Sequence, residues 1–233
     1  MDRQEIAQTL RVLTKNEPDA VAEIRLLPKN KKDGIGSGYF DPPAFERAAQ
    51  LLQPYVEQGK HNFYVTMSRL HPGLLARYNR RFQPWPPQTT TDSEVTAYRW
   101  ILMDFDPVRP SGINTTDEEM EEAMSLARSV QAFCMEELEM DAPVEALSGN
   151  GVHLLFPVDL PANAASTKFV KDLLEMLAKR FNTERCKLDT ANFNPARITK
   201  LYGTIGGKGD GNSERPNRQS RITVIPAVLG GTL

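Results

Sequence analysis

The first half of the chain shows two kinds of hydrophobic periodicity, which predict helices and strands in alternation. Apolar residues recur at helical spacing in QEIAQTLRVLTK and in AFERAAQLLQPYVEQG, the second of which ends at Gly59. The segments AVAEIRLL and HNFYVTMSR predict strands. We interpret KNKKDGIGSGY as a basic, glycine-rich loop. The proline-studded stretch from His71 to Thr91 is predicted to be the irregular seam between two lobes.

The second half of the chain predicts a β-α-β-β-α-β succession. Its strands are TAYRWILMDFD, PVEALS, VHLLFPVDL and the short CKLD; its helices are TDEEMEEAMSLARSVQAFCMEELEM and ASTKFVKDLLEMLAKRF. This order is typical of ferredoxin-like and RRM-like folds. We therefore predict an α+β protein in which an N-terminal α/β lobe, residues 1–92, packs on an RRM-like lobe, residues 93–233.

The composition narrows the class of protein. The chain has 233 residues, of which 40% are hydrophobic and 25% are charged, so it can build a substantial core. It contains no apolar run near 18 residues and no signal-peptide pattern, which predicts a cytoplasmic protein without a membrane partner. The two cysteines, Cys134 and Cys186, match no metal-binding or CxxC spacing and are expected to be buried free thiols.

The charge is unevenly distributed along the chain. The net charge of −2 gives no global basic field that would indicate nucleic-acid binding. Between Lys179 and Arg221, however, ten basic residues stand against four acidic ones, a local net charge of +6, whereas Asp117 to Asp141 is strongly acidic. We therefore expect one cationic surface on a nearly neutral protein.

The predicted topology brings acidic residues together from distant segments. In the usual strand order the first strand lies between the third and the fourth. Asp104 and Asp106 end the first strand, His153 begins the third, and Asp189 ends the fourth. Residues at i and i+2 project to one face of a strand, so the first two carboxylates could share a pair of Mg²⁺ or Mn²⁺ ions. The alternatives are a solvated turn at the strand end and, for Asp189, an Asx-turn.

The turn SGNGVH between the second and third strands is a candidate phosphate site. Gly149 and Gly151 permit a tight turn, and the backbone N–H groups of such a turn can hold a phosphate. Ser148 adds a hydroxyl and His153 a ring donor. The alternative is an ordinary surface hairpin.

The segment PARITKLYGTIGGKGD, followed by RPNRQSR, supplies candidate cations for a triphosphate. Arg197 and Lys200 stand three residues apart, and Lys208 lies in a glycine-rich loop that does not match a Walker A motif. Arg218 is a further candidate. Basic side chains beside a metal site neutralise phosphate charge and stabilise the transition state of transfer. The alternative is a solvated basic loop, which we favour for Arg215 and Arg221.

Taken in order, WILMDFDPVRP, SGNGVHLLF and KLDTANFNPARITKLYGT resemble the archaeo-eukaryotic primase (AEP) superfamily, and most closely the primase-polymerases of phages, plasmids and CRISPR-associated loci. That family carries a D-x-D motif, an S-x-H-type motif and a later Asp after a hydrophobic residue. The N-terminal EIRLLPKNKKDGIGSGYF and FYVTMSRLHPGLLAR also resemble the family's first lobe.

The resemblance implies a nucleotidyltransferase that makes and extends primers from NTPs or dNTPs on single-stranded DNA with two divalent ions, Mg²⁺ or Mn²⁺. It implies metal ligands at Asp104, Asp106 and Asp189, with His153 catalytic. Nucleotide contacts are implied at Ser148, Gly149, Asn150, His153, Arg197, Lys200, Lys208 and Arg218. Such modules often precede a helicase or primer-binding domain. Because this chain ends in AVLGGTL, we expect a catalytic fragment whose other partners are the template and primer strands.

Three further interpretations stay open. A two-metal cyclase or nuclease could use the same carboxylates without making primers. An RRM-like binding module or replication initiator would need aromatic residues on the sheet face, and the chain has no RNP-type string there. The loops KNKKDGIGSG and LLARYNRRFQPW, with Tyr78, Arg80, Arg81 and Trp85, either contact the template or pack the lobes together.

Overall fold

The computed structural model describes residues 1–227, so most of the AVLGGTL segment lies outside the described residues. The helices are α1 (Arg3–Leu13), α2 (Phe45–Leu51), α3 (Gln53–Gln58), α4 (Leu75–Tyr78), α5 (Asp117–Glu136) and α6 (Ala164–Phe181). The strands are β1 (Ala22–Pro28), β2 (Gly36–Phe40), β3 (His61–Thr66), β4 (Arg69–Leu70), β5 (Phe82–Pro84), β6 (Val95–Pro107), β7 (Val144–Leu147), β8 (Val152–Pro161), β9 (Cys186–Leu188), β10 (Ile198–Lys200), β11 (Ile205–Gly206), β12 (Arg218–Gln219) and β13 (Arg221–Val224). The mixture of helices and sheets confirms the predicted α+β class.

The first sheet contains five antiparallel strands in the order β10-β3-β1-β2-β5. Strand β2 corrects our interpretation of KNKKDGIGSGY as a loop throughout. Its glycines carry no β-forming side chain, but Gly38 is needed because a Cβ there would lie 2.7 Å from the carbonyl oxygen of Arg81. The sequence pattern therefore missed a strand that is held by backbone pairing on both of its edges.

The helix predicted over AFERAAQLLQPYVEQG is divided into α2 and α3 at Leu52. Pro54 has no N–H group to continue the hydrogen-bond ladder, so it stands in the first turn of a new helix. Gly59 ends that helix in the left-handed conformation, with a φ of 66°.

The second sheet has the strand order β13-β7-β8-β6-β4, and β9 pairs with the same edge of β6 as β4. Strand β6 is 13 residues long, so it can pair with both short strands along one edge. The predicted neighbours are observed, because β6 lies between β8 and β9. Helices α5 and α6 pack on one face of this sheet through a shared apolar cluster.

The two predicted lobes exchange strands. Arg69–Leu70, which precedes the expected boundary at residue 92, pairs with β6 of the second sheet. Ile198–Lys200, from the C-terminal part, pairs with β3 of the first sheet. The division into 1–92 and 93–233 stays a prediction, but each part contributes a strand to the other part's sheet.

The alternation of side chains along β6 decides where the core ends and a polar cleft begins. Trp100 and Leu102 belong to a core shared with α1, α2 and the first sheet. Ile101, Met103 and Phe105, which alternate with them, face α5 and α6. The indole N–H of Trp100 donates to the carbonyl oxygen of Leu13 at 2.8 Å. Asp104 and Asp106 continue the Trp100–Leu102 face beyond the core.

Two further expectations can be compared with residues 1–227. Cys134 and Cys186 are both buried and free, as predicted. Within this part of the chain, no helix combines the length and the apolar character that crossing a lipid bilayer requires.

A buried ion cluster connects the segment after α1 to the second sheet. Arg99 on β6 is 1% exposed; it donates to the carboxylate of Glu17 at 2.5 Å and to the carbonyl oxygen of Ser68 at 3.0 Å. Arg69 donates to the same carboxylate at 2.7 Å. Burial acts to raise the pKa of Glu17, but its hydrogen bonds with Arg69 and Arg99 and their charges lower that pKa to about 2.

We expect the substitution Glu17→Gln to lower the free energy of unfolding at pH 7 by about 2 kcal/mol, because it leaves Arg99 buried without a counter-charge. The contribution of Glu17 should be complete above its ordinary pKa of 4.5 and decline as the pH falls toward 2. Urea unfolding at pH 7, 5 and 3 measures this difference, with the exposed Glu118→Gln as the control. A difference between wild type and Glu17→Gln that does not shrink at pH 3 would contradict the assignment.

Candidate active site between the two sheets

A cavity of about 160 Å³ lies between the two sheets. Seven residues singled out from the sequence line it: Asp104, Asp106, Ser148, Asn150, His153, Lys200 and Lys208. Strand β3 lines the opposite side with Asn62 and Tyr64, and Thr199 of β10 lies beside them. The cavity therefore draws its polar groups from both sheets.

Asp104 and Asp106 form the acidic centre of the cavity. Both side chains are half-buried at the end of β6. Asp106 Oδ1 lies 3.5 Å from Lys208 Nζ and 3.5 Å from an Arg109 Nη atom. Asp104 Oδ1 lies 3.2 Å from His153 Nε2, but without hydrogen-bond geometry, so this buried oxygen has no donor among the described residues.

The pKa values of the two carboxyl groups shift in opposite directions. Burial acts to raise the pKa of Asp104, but the charge of His153, together with those of Lys208 and Arg109, outweighs burial and lowers it. Burial and the negative charge of Asp104 raise the pKa of Asp106. The environment therefore keeps Asp104 ionised and makes Asp106 the member of the pair that is easier to protonate.

His153 is held through its ring nitrogen Nδ1. It stands directly opposite Asp104 in the β6–β8 register and is 4% exposed. Its Nδ1 lies 2.7 Å from the hydroxyl of Tyr202 and 3.3 Å from that of Thr199. Burial raises the pKa of the Tyr202 hydroxyl far above its ordinary value, so this group stays protonated and can donate to Nδ1. With Nδ1 bonded to Tyr202, the ring carries a proton on Nε2, which faces Asp104.

The turn SGNGVH is fixed by its own hydrogen bonds and by neighbouring loops. The Ser148 hydroxyl donates to the Gly151 carbonyl oxygen at 3.2 Å. The Asn150 side chain accepts from Thr115 N at 2.9 Å and donates to the Gly206 carbonyl oxygen at 2.9 Å. Gly149 has a φ of 99°, which favours glycine, and it lies against β11 and β12 outside the cavity lining.

The two lysines of the cavity differ in their surroundings. Lys200 is 5% exposed; its Nζ donates to the Ile205 carbonyl oxygen at 3.0 Å and lies 5.4 Å from the centre of the Tyr64 ring. Burial lowers the pKa of Lys200 to about 7. The side chain of Lys208 is 48% exposed and reaches Asp106 from the glycine-rich loop.

Besides Gly149, three predicted site residues lie outside the cavity lining. Asp189 is brought beside Asp104, because its N–H donates to the Asp104 carbonyl oxygen at 2.8 Å, but its carboxylate accepts from Ala191 N at 2.8 Å and from the Asn192 side chain at 3.3 Å. This is the Asx-turn that we had kept as an alternative. Across residues 1–227, no three His, Cys, Asp or Glu side chains are grouped closely enough to hold a metal ion.

The other two residues outside the lining are arginines. The guanidinium of Arg197 donates to the Ala191 carbonyl oxygen, and that of Arg218 pairs with Asp117 at the start of α5. The R-x-x-K spacing does not place Arg197 beside Lys200, because residues three apart in an extended segment point to opposite faces.

Sequence analysis did not single out several polar residues of the site. Asn62 and Tyr64 lie on one face of β3, and Asn192 completes the lining beside Asp189. The alternation in HNFYVT separates these polar positions from apolar Phe63, which was the available signal. Arg109, three residues after Asp106, was detectable only as a cation close to the D-x-D motif.

The fold is similar to that of a known primase-polymerase domain. The AEP domain of the cyanophage S-2L primase-polymerase matches with a TM-score of 0.57 and 18% sequence identity, covering 99% of this chain and 96% of that one. The catalytic domain of primase RepB' in complex with initiator DNA has a TM-score of 0.48 and 10% identity, over 98% of this chain and 93% of that one. The polymerase domain of Mycobacterium tuberculosis ligase D in complex with DNA has a TM-score of 0.49 and 13% identity, over 93% and 79%.

Neither a protein-family model nor a curated protein matches the sequence. The cyanophage comparison shows that this chain has the AEP fold, as its motifs predicted.

Burial of Lys200 predicts a pH-dependent contribution to stability. Its pKa of about 7 in the folded protein lies below the ordinary 10.5, so between these values the unfolded chain binds a proton that the folded chain does not. We expect the stability of wild type relative to Lys200→Met to rise with pH from 7 to 10, by about 1 kcal/mol per pH unit. Urea unfolding at pH 7, 8.5 and 10 tests this, with the exposed Lys168→Met as the control. If the difference in unfolding free energy between wild type and Lys200→Met did not change with pH, the Lys200 amine would have to be solvated in the folded protein.

Proposed function

We propose that this protein is a DNA primase-polymerase, a nucleotidyltransferase that makes and extends primers from NTPs or dNTPs on single-stranded DNA. The observation that carries this proposal is one cavity in which the paired carboxylates of Asp104 and Asp106 meet His153 and the amines of Lys200 and Lys208. Carboxylates that face a phosphate need cations between them, and amines that face a phosphate neutralise its charge. The AEP fold supports the same conclusion.

The residues of the acidic centre suit Mg²⁺ or Mn²⁺. Asp104 and Asp106 supply carboxylate oxygens on one strand face, and the buried Asp104 Oδ1 has no hydrogen-bond donor among the described residues. Hard divalent ions prefer such oxygen ligands. We assign Asp104 and Asp106 as the residues that would hold two ions, and Asp189, whose backbone is bonded to that of Asp104, as a third ligand. Bound ions would supply Lewis-acid chemistry, which lowers the pKa of a 3′-hydroxyl and neutralises triphosphate charge.

The remaining residues of the cavity would bind and orient the nucleotide. Lys200 and Lys208 offer amines to the phosphates, and the Ser148 hydroxyl and the turn that follows it offer hydrogen-bond donors. His153 would hold a proton on Nε2 beside Asp104, because its Nδ1 is already bonded to Tyr202. In the proposed reaction the 3′-oxygen of a primer strand, or of a second nucleotide at initiation, attacks the α-phosphorus and pyrophosphate leaves.

We assign Gly149, Arg197 and Arg218 indirect roles in nucleotide binding. Gly149 permits the turn to pack against β11, and Arg218 holds the start of α5 through Asp117. Arg197 fixes the segment after Asp189 by donating to the Ala191 carbonyl oxygen. A helicase or another replication or CRISPR-associated domain would be a partner outside this chain.

Removing either central carboxylate should abolish synthesis. We expect Asp104→Asn and Asp106→Asn each to reduce the rate of primer synthesis on single-stranded DNA at least 100-fold, because each loses an ionised oxygen ligand. Labelled nucleotides with Mg²⁺ or Mn²⁺ measure the product, and Asp19→Asn, an exposed aspartate far from the cavity, is the matched control. Equal product from wild type and both variants would overturn the site assignment.

The same assay separates the alternatives. Product that forms equally well without single-stranded DNA would indicate a cyclase-like nucleotidyltransferase, and shortening of the added DNA would indicate a nuclease.

The substitution Asp189→Asn tests whether Asp189 is the third metal ligand. A loss of synthesis that excess Mn²⁺ partly restores would support metal ligation, whereas a loss of stability alone would indicate that Asp189 serves only its Asx-turn.

Triphosphate binding should draw a proton to Lys200. The neighbouring phosphates would raise its pKa from about 7, so at pH 8 the protein should take up a proton with the nucleotide. Calorimetric titration with a triphosphate that has a non-cleavable α,β bridge, in two buffers of different ionisation enthalpy, measures this uptake. Lys200→Met should lose the uptake, whereas Lys208→Met should weaken binding and keep it. Equal uptake by wild type and Lys200→Met would remove Lys200 from the phosphate site.

A further inference from the structure

Trp85 is the most exposed large apolar side chain among the described residues, with 64% of its surface accessible. It directly follows β5, and its backbone has a φ of 48°. A bulky residue rarely adopts this conformation, because its Cβ approaches neighbouring backbone atoms. Strain of this kind persists where the surrounding structure fixes it, and it is concentrated at functional positions.

The indole ring of Trp85 is seated on Gly34. A Cβ at Gly34 would lie 2.3 to 2.5 Å from three atoms of that ring, so only glycine permits the contact. The backbone N–H of Trp85 also donates to the Ile35 carbonyl oxygen at 2.9 Å. The ring is therefore held by fixed neighbours, although most of its surface faces solvent.

This position is connected to the proposed active site. The Gly34 carbonyl oxygen lies 3.1 Å from the Nε2 atom of His61, and the next residue, Asn62, lines the cavity. Along the sheet, β5 is separated from β3 by three strand spacings. At about 4.8 Å each, these spacings place the end of β5, which Trp85 follows, about 14 Å from β3 and so from the cavity wall.

Three basic residues lie on the two segments that carry Gly34 and Trp85. Lys31 and Lys32 lie in a short turn just before Gly34, and Arg81 lies just before β5. All three are exposed, and within residues 1–227 none of them pairs with an acidic side chain. An exposed ring on segments that also carry unpaired cations is complementary to a nucleic-acid strand, whose bases stack and whose phosphates are anionic.

The neighbouring residues of the same loop have other partners. Tyr78 is buried and its ring centre lies 5.7 Å from that of Tyr39, whereas Arg80 pairs with Asp41 at 2.5 Å. These contacts within residues 1–92 account for Tyr78 and Arg80, but no such contact accounts for the exposed ring of Trp85.

We infer that Trp85 is a stacking platform for a base of the single-stranded DNA template, with Lys31, Lys32 and Arg81 contacting the adjacent phosphates. The inference rests on the proposed function, because it takes the strand to be the template that enters the cavity between the sheets. Stacking of this kind tolerates any base, since every base has a flat aromatic face.

Intrinsic fluorescence tests this directly. The chain has two tryptophans, and Trp100 is 1% exposed with its indole N–H bonded, so a change at the protein surface reports on Trp85. We expect (dT)12, added without nucleotide or divalent ions, to quench the emission of the wild type. Because the Trp85 variants lose this reporter, the fluorescence anisotropy of dye-labelled (dT)12 measures their affinity. Trp85→Gly, which suits the positive φ, should bind (dT)12 about tenfold more weakly, and Trp85→Phe within about threefold of wild type.

Two further variants sharpen the test. Gly34→Ala should displace the ring and weaken (dT)12 binding while the indole is still present, whereas Phe169→Ala, which removes an exposed ring from α6, should change nothing. Lys31→Gln with Lys32→Gln should reduce the slope of log affinity against log salt concentration by about 1.4.

Wild-type affinity of Trp85→Gly, or binding of (dT)12 without any change in emission, would overturn the inference. Asp104→Asn separates this result from the proposed function. If both proposals hold, that variant loses primer synthesis and still quenches with (dT)12. If it synthesises primers normally, the proposed catalytic site fails although the strand-binding result stands.

Discussion

Two carboxylates that share one strand face inside a narrow cleft impose the constraint on which the site depends. Transfer from water into the cleft raises the free energy of each ionised carboxylate, and the negative charge of one carboxylate acts to raise the pKa of its neighbour. The structure opposes this with basic groups on separate segments: the imidazole of His153 beside Asp104, and the cations Arg109 and Lys208 beside Asp106. None of these contacts is a short, well-aligned ion pair. The buried Asp104 Oδ1 also has no hydrogen-bond donor among the described residues, and the proposed divalent ion would use this free acceptor.

The rigidity of this centre comes from the core that precedes it on the same strand. Trp100 and Leu102 pack between the two sheets, and the same face of β6 then presents the two aspartates. A shift of β6 by one residue would turn Trp100, Leu102 and both aspartates to the opposite face of the sheet, so packing and chemistry are fixed together. The exchange of short strands between the sheets adds to this coupling, because β10 brings Lys200 from the C-terminal part to the wall formed by β3.

Sequence reasoning succeeded where chemistry and local periodicity coincide. The D-x-D motif at the end of an apolar strand predicted that Asp104 and Asp106 share one face, and both line the cavity. The β-α-β-β-α-β order predicted His153 close to them, and it stands opposite Asp104 in the register. Their roles as metal ligands and catalytic residue stay predictions. Sequence reasoning failed where a tertiary contact decides the outcome. The glycine-rich strand β2 has no side-chain signal, the surroundings of Lys200 depend on the pairing of β10 with β3, and only the folded loops show that Arg218 pairs with Asp117. The hydrogen bonds of Asp189 were foreseen as an alternative, because Asp before Thr and Asn often forms such a turn.

The two cavity lysines differ in burial, and burial determines how each amine would respond to an anion. Lys200 is already desolvated, and its amine is bonded to the Ile205 carbonyl oxygen, so its position costs little further entropy when an anion arrives. The same burial lowers its pKa, and an anion therefore has to supply the field that charges it. Lys208 is half exposed on a glycine-rich loop, and its 3.5 Å contact with Asp106 is long enough to exchange at low cost. A cation that came to Asp106 would free this lysine for a phosphate, which would couple occupation of the acidic centre to capture of the triphosphate.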